Sequence, residues 1–190
     1  LHPFAYGLYV WPVILAVHLV HLWRGQARWL TLYHAGGVWL VTFLLTWWAV
    51  QQAIGYGVAV GWLGVALLSV PTLVLLLCGV LAAQMPWPIA GHQKAYGVYA
   101  AAPVAAFLLG AALWVNQTNP GYSAPLPFVP FLNPLDLLLT GIMLVLWLWS
   151  RRLQGLLSAQ PWAVVDRCSQ WGVWLMSLWV LNLALARTLH

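Results

Sequence analysis

Residues 124–137 read Ala-Pro-Leu-Pro-Phe-Val-Pro-Phe-Leu-Asn-Pro-Leu-Asp-Leu. Prolines at 125, 127, 130 and 134 exclude a regular helix or a central strand. Each lacks a backbone N–H and biases the residue before it towards an extended conformation. From Ala124 to Leu132 there is no charge and no polar side chain. The segment is too stiff for a floppy loop and too apolar for water, so it is expected to pack against helices or dip among them. Pro134 suits the first turn of a helix, and Asn133 before it is a good N-cap. Asp136 falls at the third helical position, where a carboxylate reaches free backbone N–H groups and faces the positive end of the helix.

Composition sets the solvent. Hydrophobic residues make up 64% of the 190, charged residues 5%, and glutamate is absent. With a mean hydropathy of +0.87 the chain cannot cover a water-facing surface, and its apolar runs are long enough to span a bilayer. Many of the 15 Trp fall near the ends of those runs, as expected of rings seated at headgroup level. The net charge of +5 comes from Lys and Arg placed singly or in pairs at helix ends. Topology and lipid headgroups account for them better than nucleic acid does. The chain starts at Leu1, and its first twenty residues hold no Lys or Arg, unlike a signal peptide. It reads as one transmembrane helical domain over residues 1–190, expected to be a piece of a longer multi-spanning protein. Cys78 and Cys168 have no metal spacing and read as free thiols.

In order, the pattern predicts helices over Phe4 to Trp23, bent at Pro12, and Thr31 to Val50. A third runs from Tyr56 to Ala83 with a kink at Pro71, and a fourth from Ala95 to Val115 around Pro103. The fifth spans Pro134 to Trp149 and stops at Arg151-Arg152, and the sixth runs from Pro161 to the end. Gln84 to Lys94 reads as an exposed connection, and Asn116 to Gly121 as a turn. The fold class is therefore an all-α integral membrane bundle of about six transmembrane helices. Sixteen residues of fifth helix rise about 24 Å against a hydrocarbon core of about 30 Å. On that length Asn133 and Asp136 start below the outer interface and the proline-rich loop descends to meet them, a re-entrant path allowed only inside protein or a water-filled cavity. Pro127, Phe128, Pro130 and Phe131 would then line the recess. The competing reading lays the stretch flat on the surface.

Arg24, Arg28, Lys94, Arg151, Arg152 and Arg167 fall at one end of this bundle and only Arg187 at the other. The positive-inside rule makes the first end cytoplasmic, with both chain ends outside. At the outer end Asn133, Asp136, Asn182, Arg187 and His190 form a candidate polar cluster, since charged groups at that depth suggest function. The plainer account is that Asp136 caps its helix and pairs with Arg187, pinning two helices. His18 and His21 share a face of the first helix, with His34 and His92 at the same end. No compact ligand motif joins them, so neither a metal nor another cofactor is expected. The small residues Gly57, Gly61 and Gly64, and Gly97, Ala101 and Ala105, suit close helix contacts.

Pro127-Phe128-Val129-Pro130-Phe131-Leu132-Asn133-Pro134-Leu135-Asp136-Leu137, with Leu181-Asn182-Leu183-Ala184-Leu185-Ala186-Arg187-Thr188-Leu189-His190 near the end, resembles the bacterial predicted membrane proteins catalogued as domain of unknown function 2339. Trp87-Pro88-Ile89-Ala90 and His2-Pro3 are similar to family segments too, so the resemblance covers essentially the whole chain. It implies a place in the bacterial inner (cytoplasmic) membrane and no activity. Three functional classes follow from the residues. One is a transport or lipid-handling domain with a substrate recess, opposed by the lack of an inverted repeat. Another is an enzyme acting on a lipid-linked or sugar substrate at the outer face, with Asp136 as acid or base and Arg187 and His190 holding an anionic group. The third is a structural scaffold. Partners are the lipid bilayer and other segments of the longer protein or other membrane subunits.

Overall fold

The computed structural model describes residues 7–24, 29–127, 129, 131–157 and, further on, 171–172, 174–175, 177–179, 181–182 and 185. Among them there is helix and no strand. Helix α1 covers Gly7–Trp23 and α2 Leu30–Gly55. Helix α3, Val60–Val74, widens into a π-helical turn over Leu75–Val80. A second π turn, Ala95–Ala100, opens into α4, Ala101–Thr118. A 3-10 turn at Ala90–His92 lies in the connection between these two spans. Helix α5 covers Pro134–Leu156. Among the described residues four stretches are long and apolar enough to cross a membrane: Leu30–Gly55, Val60–Val80, Ala95–Thr118 and Pro134–Leu153; α1 is apolar but shorter. The sixth helix expected from Pro161 onward lies largely outside the described residues, where helical backbone is found at 171–172, 174–175, 177–179, 181–182 and 185.

The fifth helix corrects its expected length. It runs through Arg151 and Arg152 to Leu156, 23 residues and about 34 Å, so it is not too short for the membrane. The arginine pair fails to stop it because neither charge is left without company in the bundle. Arg152 donates through Nη1 to the carbonyl of Val80, at the end of the α3 span, and the Arg151 guanidinium lies 5.7 Å from the centre of the Trp147 ring, a cation–π distance. The second helix also outlasts its expected end at Val50, because Gln51 and Gln52 continue it to Gly55. There Gly57, at φ 61°, closes it: Gly57 N–H donates to Ile54 O at 3.0 Å and Val58 N–H to Ala53 O at 3.3 Å, the paired bonds of a Schellman cap. Gly57 is thus a turn residue rather than a packing residue.

The core lies between α3, α4 and α5. Leu68, Leu75, Leu108, Leu135, Leu139 and Ile142 are fully buried there. Pro71 and Pro103 remove one helical N–H each, and each span adapts with a π turn nearby. Carbonyls of the second π turn take indole N–H groups from other helices: Trp149 Nε1 donates to Gly97 O at 2.8 Å and Trp39 Nε1 to Ala100 O at 3.2 Å. Only 11% of the α2 span is buried, against 39% for each of the other three. Helix α2 therefore turns much of its surface outward, Phe43 and Trp48 included, although it packs extensively along α3.

Gly61 and Gly64 are the close-approach positions that the small-residue pattern predicts. A Cβ at Gly61 would lie 2.5 Å from Tyr122 O and 2.4 Å from Ser123 Oγ. One at Gly64 would lie 2.9 Å from Val115 Cγ1. Gly61→Ala is expected to destabilise the fold by about 1–3 kcal/mol, since a backbone carbonyl cannot step aside as a side chain can. Gly110→Ala, where a Cβ meets nothing within 4 Å, is expected to be neutral or slightly stabilising. Thermal melting of the two variants in detergent checks this, and equal melting temperatures refute it.

Candidate functional site

The connection from α4 to α5 is anchored on the first turn of α3. Asn119 donates through Nδ2 to Val60 O at 2.7 Å and accepts from Gly121 N–H at 2.9 Å. Gly61 N–H donates to Tyr122 O at 2.7 Å. The Trp62 indole N–H is shared between Ser123 O at 3.3 Å and Ala124 O at 3.1 Å. Residues 119–124 are thereby strapped down, and Ser123 and Asn119 are buried. From Pro125 to Leu132 every described residue is exposed. Of the four expected recess-lining residues, Pro127 and Phe131 are exposed, and Phe128 and Pro130 lie outside the described residues.

The stretch ends in a compact polar knot. Asn133 is the N-cap of α5 and accepts from Asp136 N–H at 3.0 Å through its side-chain oxygen. Its amide donates to Asp136 Oδ2, which also accepts from Phe131 N–H at 3.3 Å. That second bond reaches back across the turn and holds Phe131 at φ 64°, a left-handed conformation that side chains with a Cβ adopt rarely. Asn133 and Asp136 are each 2% exposed, so the carboxylate is committed to backbone and amide donors at the helix start. Asn182 sits on helical backbone with an exposed side chain. Arg187 and His190 lie outside the described residues, and so does the expected pairing of Arg187 with Asp136.

Sequence reasoning missed a second feature. A lateral groove of about 440 Å³ runs between α2, α3 and α4, walled by Trp39, Thr42, Phe43, Thr46, Trp47, Val50, Leu67, Pro103, Val104 and Phe107. Eight of these ten are apolar. Of the two threonines, Thr42 is bonded to Val38 O at 2.7 Å, whereas the buried Thr46 hydroxyl has no partner among the described residues. The available signal was Pro103, which opens the helix ladder facing α2, together with the Thr42 and Thr46 pair one turn apart on α2.

At the opposite end of the bundle, His34 and Tyr96 meet, with Nδ1 and the hydroxyl 2.8 Å apart. His92 stacks beside His34 at 4.2 Å between ring centres. Three of the four histidines singled out by position are thus drawn together, since His18 also packs here, against Gly37. Among the described residues no three His, Cys, Asp or Glu side chains are grouped so as to hold a metal ion.

A bundle of long apolar helices with exposed aromatic side chains defines a helical membrane protein. Over residues 1–190 the chain matches the family described as Predicted membrane protein (DUF2339), and it belongs to that family. Among curated proteins and among solved structures, none matches the chain.

Asp136→Ala removes the acceptor that Phe131 N–H and the Asn133 amide share. It is expected to destabilise the protein by about 1.5–3 kcal/mol, the range for hydrogen bonds to a charged group, while Asp136→Asn, which keeps one oxygen acceptor, loses less. Chemical denaturation of the three proteins side by side measures this. An alanine variant as stable as the parent refutes the account of the knot.

Proposed function

We propose that the chain is a transport or lipid-handling domain of the bacterial cytoplasmic membrane, holding the hydrocarbon chain of a lipid or lipid-borne envelope component in the groove beside α2. The observation that carries this reading is the groove itself: about 440 Å³, open at the side of the bundle and lined almost wholly by apolar side chains. A recess of this composition offers nothing to an ion or a free sugar, and it opens where hydrocarbon is the solvent. The unpartnered Thr46 hydroxyl gives it one polar point at which a bound chain can be oriented. The enzyme reading has less to stand on, because Asp136 is engaged by Asn133 and Phe131. Arg24, Lys94, Arg151 and Arg152 occupy the end of the bundle at which α1, the α3 span and α5 finish. By the positive-inside rule that end faces the cytoplasm, and the proline-rich stretch and the two ends of residues 1–190 face outward.

Two measurements test the reading. Native mass spectrometry of the detergent-extracted protein is expected to find retained lipid, and Val50→Trp, which fills the groove from its half-buried wall, is expected to lose most of it at an unchanged melting temperature. Equal retention in both proteins overturns the groove as the binding place. For orientation, single cysteines at Val129 and Leu132 in a Cys78→Ser, Cys168→Ser background are expected to react with a membrane-impermeant thiol reagent on intact cells. Reaction in inside-out vesicles only reverses the assigned topology.

A further inference from the structure

A second cavity, of about 280 Å³, lies between α1, α2 and the two π turns, and is lined by His18, His34, Gly37, Cys78 and Tyr96 among otherwise apolar residues. Both imidazoles bring to it an Nε2 that is buried and has no hydrogen-bond partner among the described residues. His34 is 1% exposed. A buried imidazole nitrogen left unpaired costs about 1–3 kcal/mol, so the fold holds these groups against their own solvation. The approach of His18 depends on the absence of a side chain at Gly37, where a Cβ would lie 2.5 Å from His18 Nε2. The fold thus makes room for this imidazole on the face of α2.

The donor set narrows the ligand. Among the described residues no Asp, Glu, Lys or Arg lines the cavity, so they offer a charged ligand no counter-charge. The contact between His34 Nδ1 and the Tyr96 hydroxyl can place its hydrogen on either side. If Nδ1 carried the hydrogen, the phenol proton would be left without an acceptor in a residue only 4% exposed. With Tyr96 donating to Nδ1, both are satisfied, and the neutral imidazole carries its remaining hydrogen on Nε2. His34 therefore offers a donor and calls for an acceptor. Its depth agrees with one: four residues beyond the start of α2 at Leu30 is about 6 Å along the helix, close to the interface where the ester groups of lipids lie.

We propose that this cavity binds a neutral, membrane-soluble carbonyl compound, whose oxygen accepts from His34 Nε2–H while its ring or chain fills the apolar remainder. A quinone ring and the acyl ester of a lipid share that chemistry. The site is separate from the groove beside α2 and does not depend on its function.

The test is equilibrium binding to the full 190-residue chain in an ester-free detergent, with a short-tailed benzoquinone in one arm and dihexanoylglycerol in the other. Binding of at least one probe is expected, weakened about tenfold or more by His34→Phe, which removes the donor and keeps the ring. Leu15→Trp, on the α1 wall of the cavity, is expected to abolish it by filling the space, and decides the matter if His34→Phe does not fold. Binding in the first arm alone identifies a quinone, in the second alone a lipid ester, and in both a site selective for the carbonyl. Binding of neither probe, or binding unchanged by the variants, overturns the proposal and leaves the cavity to water.

Discussion

In hydrocarbon a backbone carbonyl without a donor costs several kcal/mol, and this chain is rich in features that create such carbonyls. Two spans contain a proline and each widens into a π turn, while the connection before α5 is interrupted by proline throughout. The donors come from far along the chain. Trp149 reaches Gly97 O, Trp39 reaches Ala100 O, Trp62 reaches Ser123 O and Ala124 O, and Arg152 reaches Val80 O. Each of these bonds joins two elements, so the requirement that carbonyls be satisfied also fixes which helices are neighbours. Leucine packing between α3, α4 and α5 supplies most of the contact. The indole and guanidinium bonds supply the register.

This is also where the sequence was hardest to read. The tryptophans were legible as a class, because rings at the ends of apolar runs belong at the interface. That Trp39, Trp62 and Trp149 each aim an N–H at a carbonyl 52 to 62 residues away has no local signature. For Trp39 and Trp149 it depends on where the second π turn falls, for Trp62 on the path of the α4–α5 connection, and both depend on packing. The same gap explains the misplaced end of the fifth helix. An Arg-Arg pair after an apolar run ordinarily marks the interface, but the free carbonyl at Val80 gives Arg152 a reason to stay within the bundle, and the helix goes on past it.

Local rules did better where the chemistry is local. Asn-Pro-Leu-Asp was legible as a helix start because an N-cap, a proline at the first position and a carboxylate at the third all concern neighbouring backbone groups. The observed knot has those roles. It adds one bond that the sequence pattern did not contain, from Phe131 N–H to Asp136. Gly61 and Gly64 were legible as contact positions, since a missing Cβ in an apolar helix has few other uses. The groove left only the indirect signal of Pro103 with Thr42 and Thr46, and the histidine cavity was not legible, because a void is the property of several helices together.

Helix α2 ties these observations together. It is the least buried of the four long spans, yet it forms a wall of both voids. His34, Gly37, Val38 and Val41 recur at helical spacing on one flank, and Thr42, Thr46 and Val50 on another. A helix with so little apolar burial gains less from packing than its neighbours do. Its long-range polar attachments include the Trp39 bond to Ala100 O and the His34 contact with Tyr96, and both of these end on the π turn that leads into α4. The two voids lie on either side of that pair of attachments. An occupant of either void meets a wall attached at one level by these hydrogen bonds and packed along α3 elsewhere. The residues that anchor α2 there, Trp39 and His34, meet the core on the single turn Ala95–Ala100.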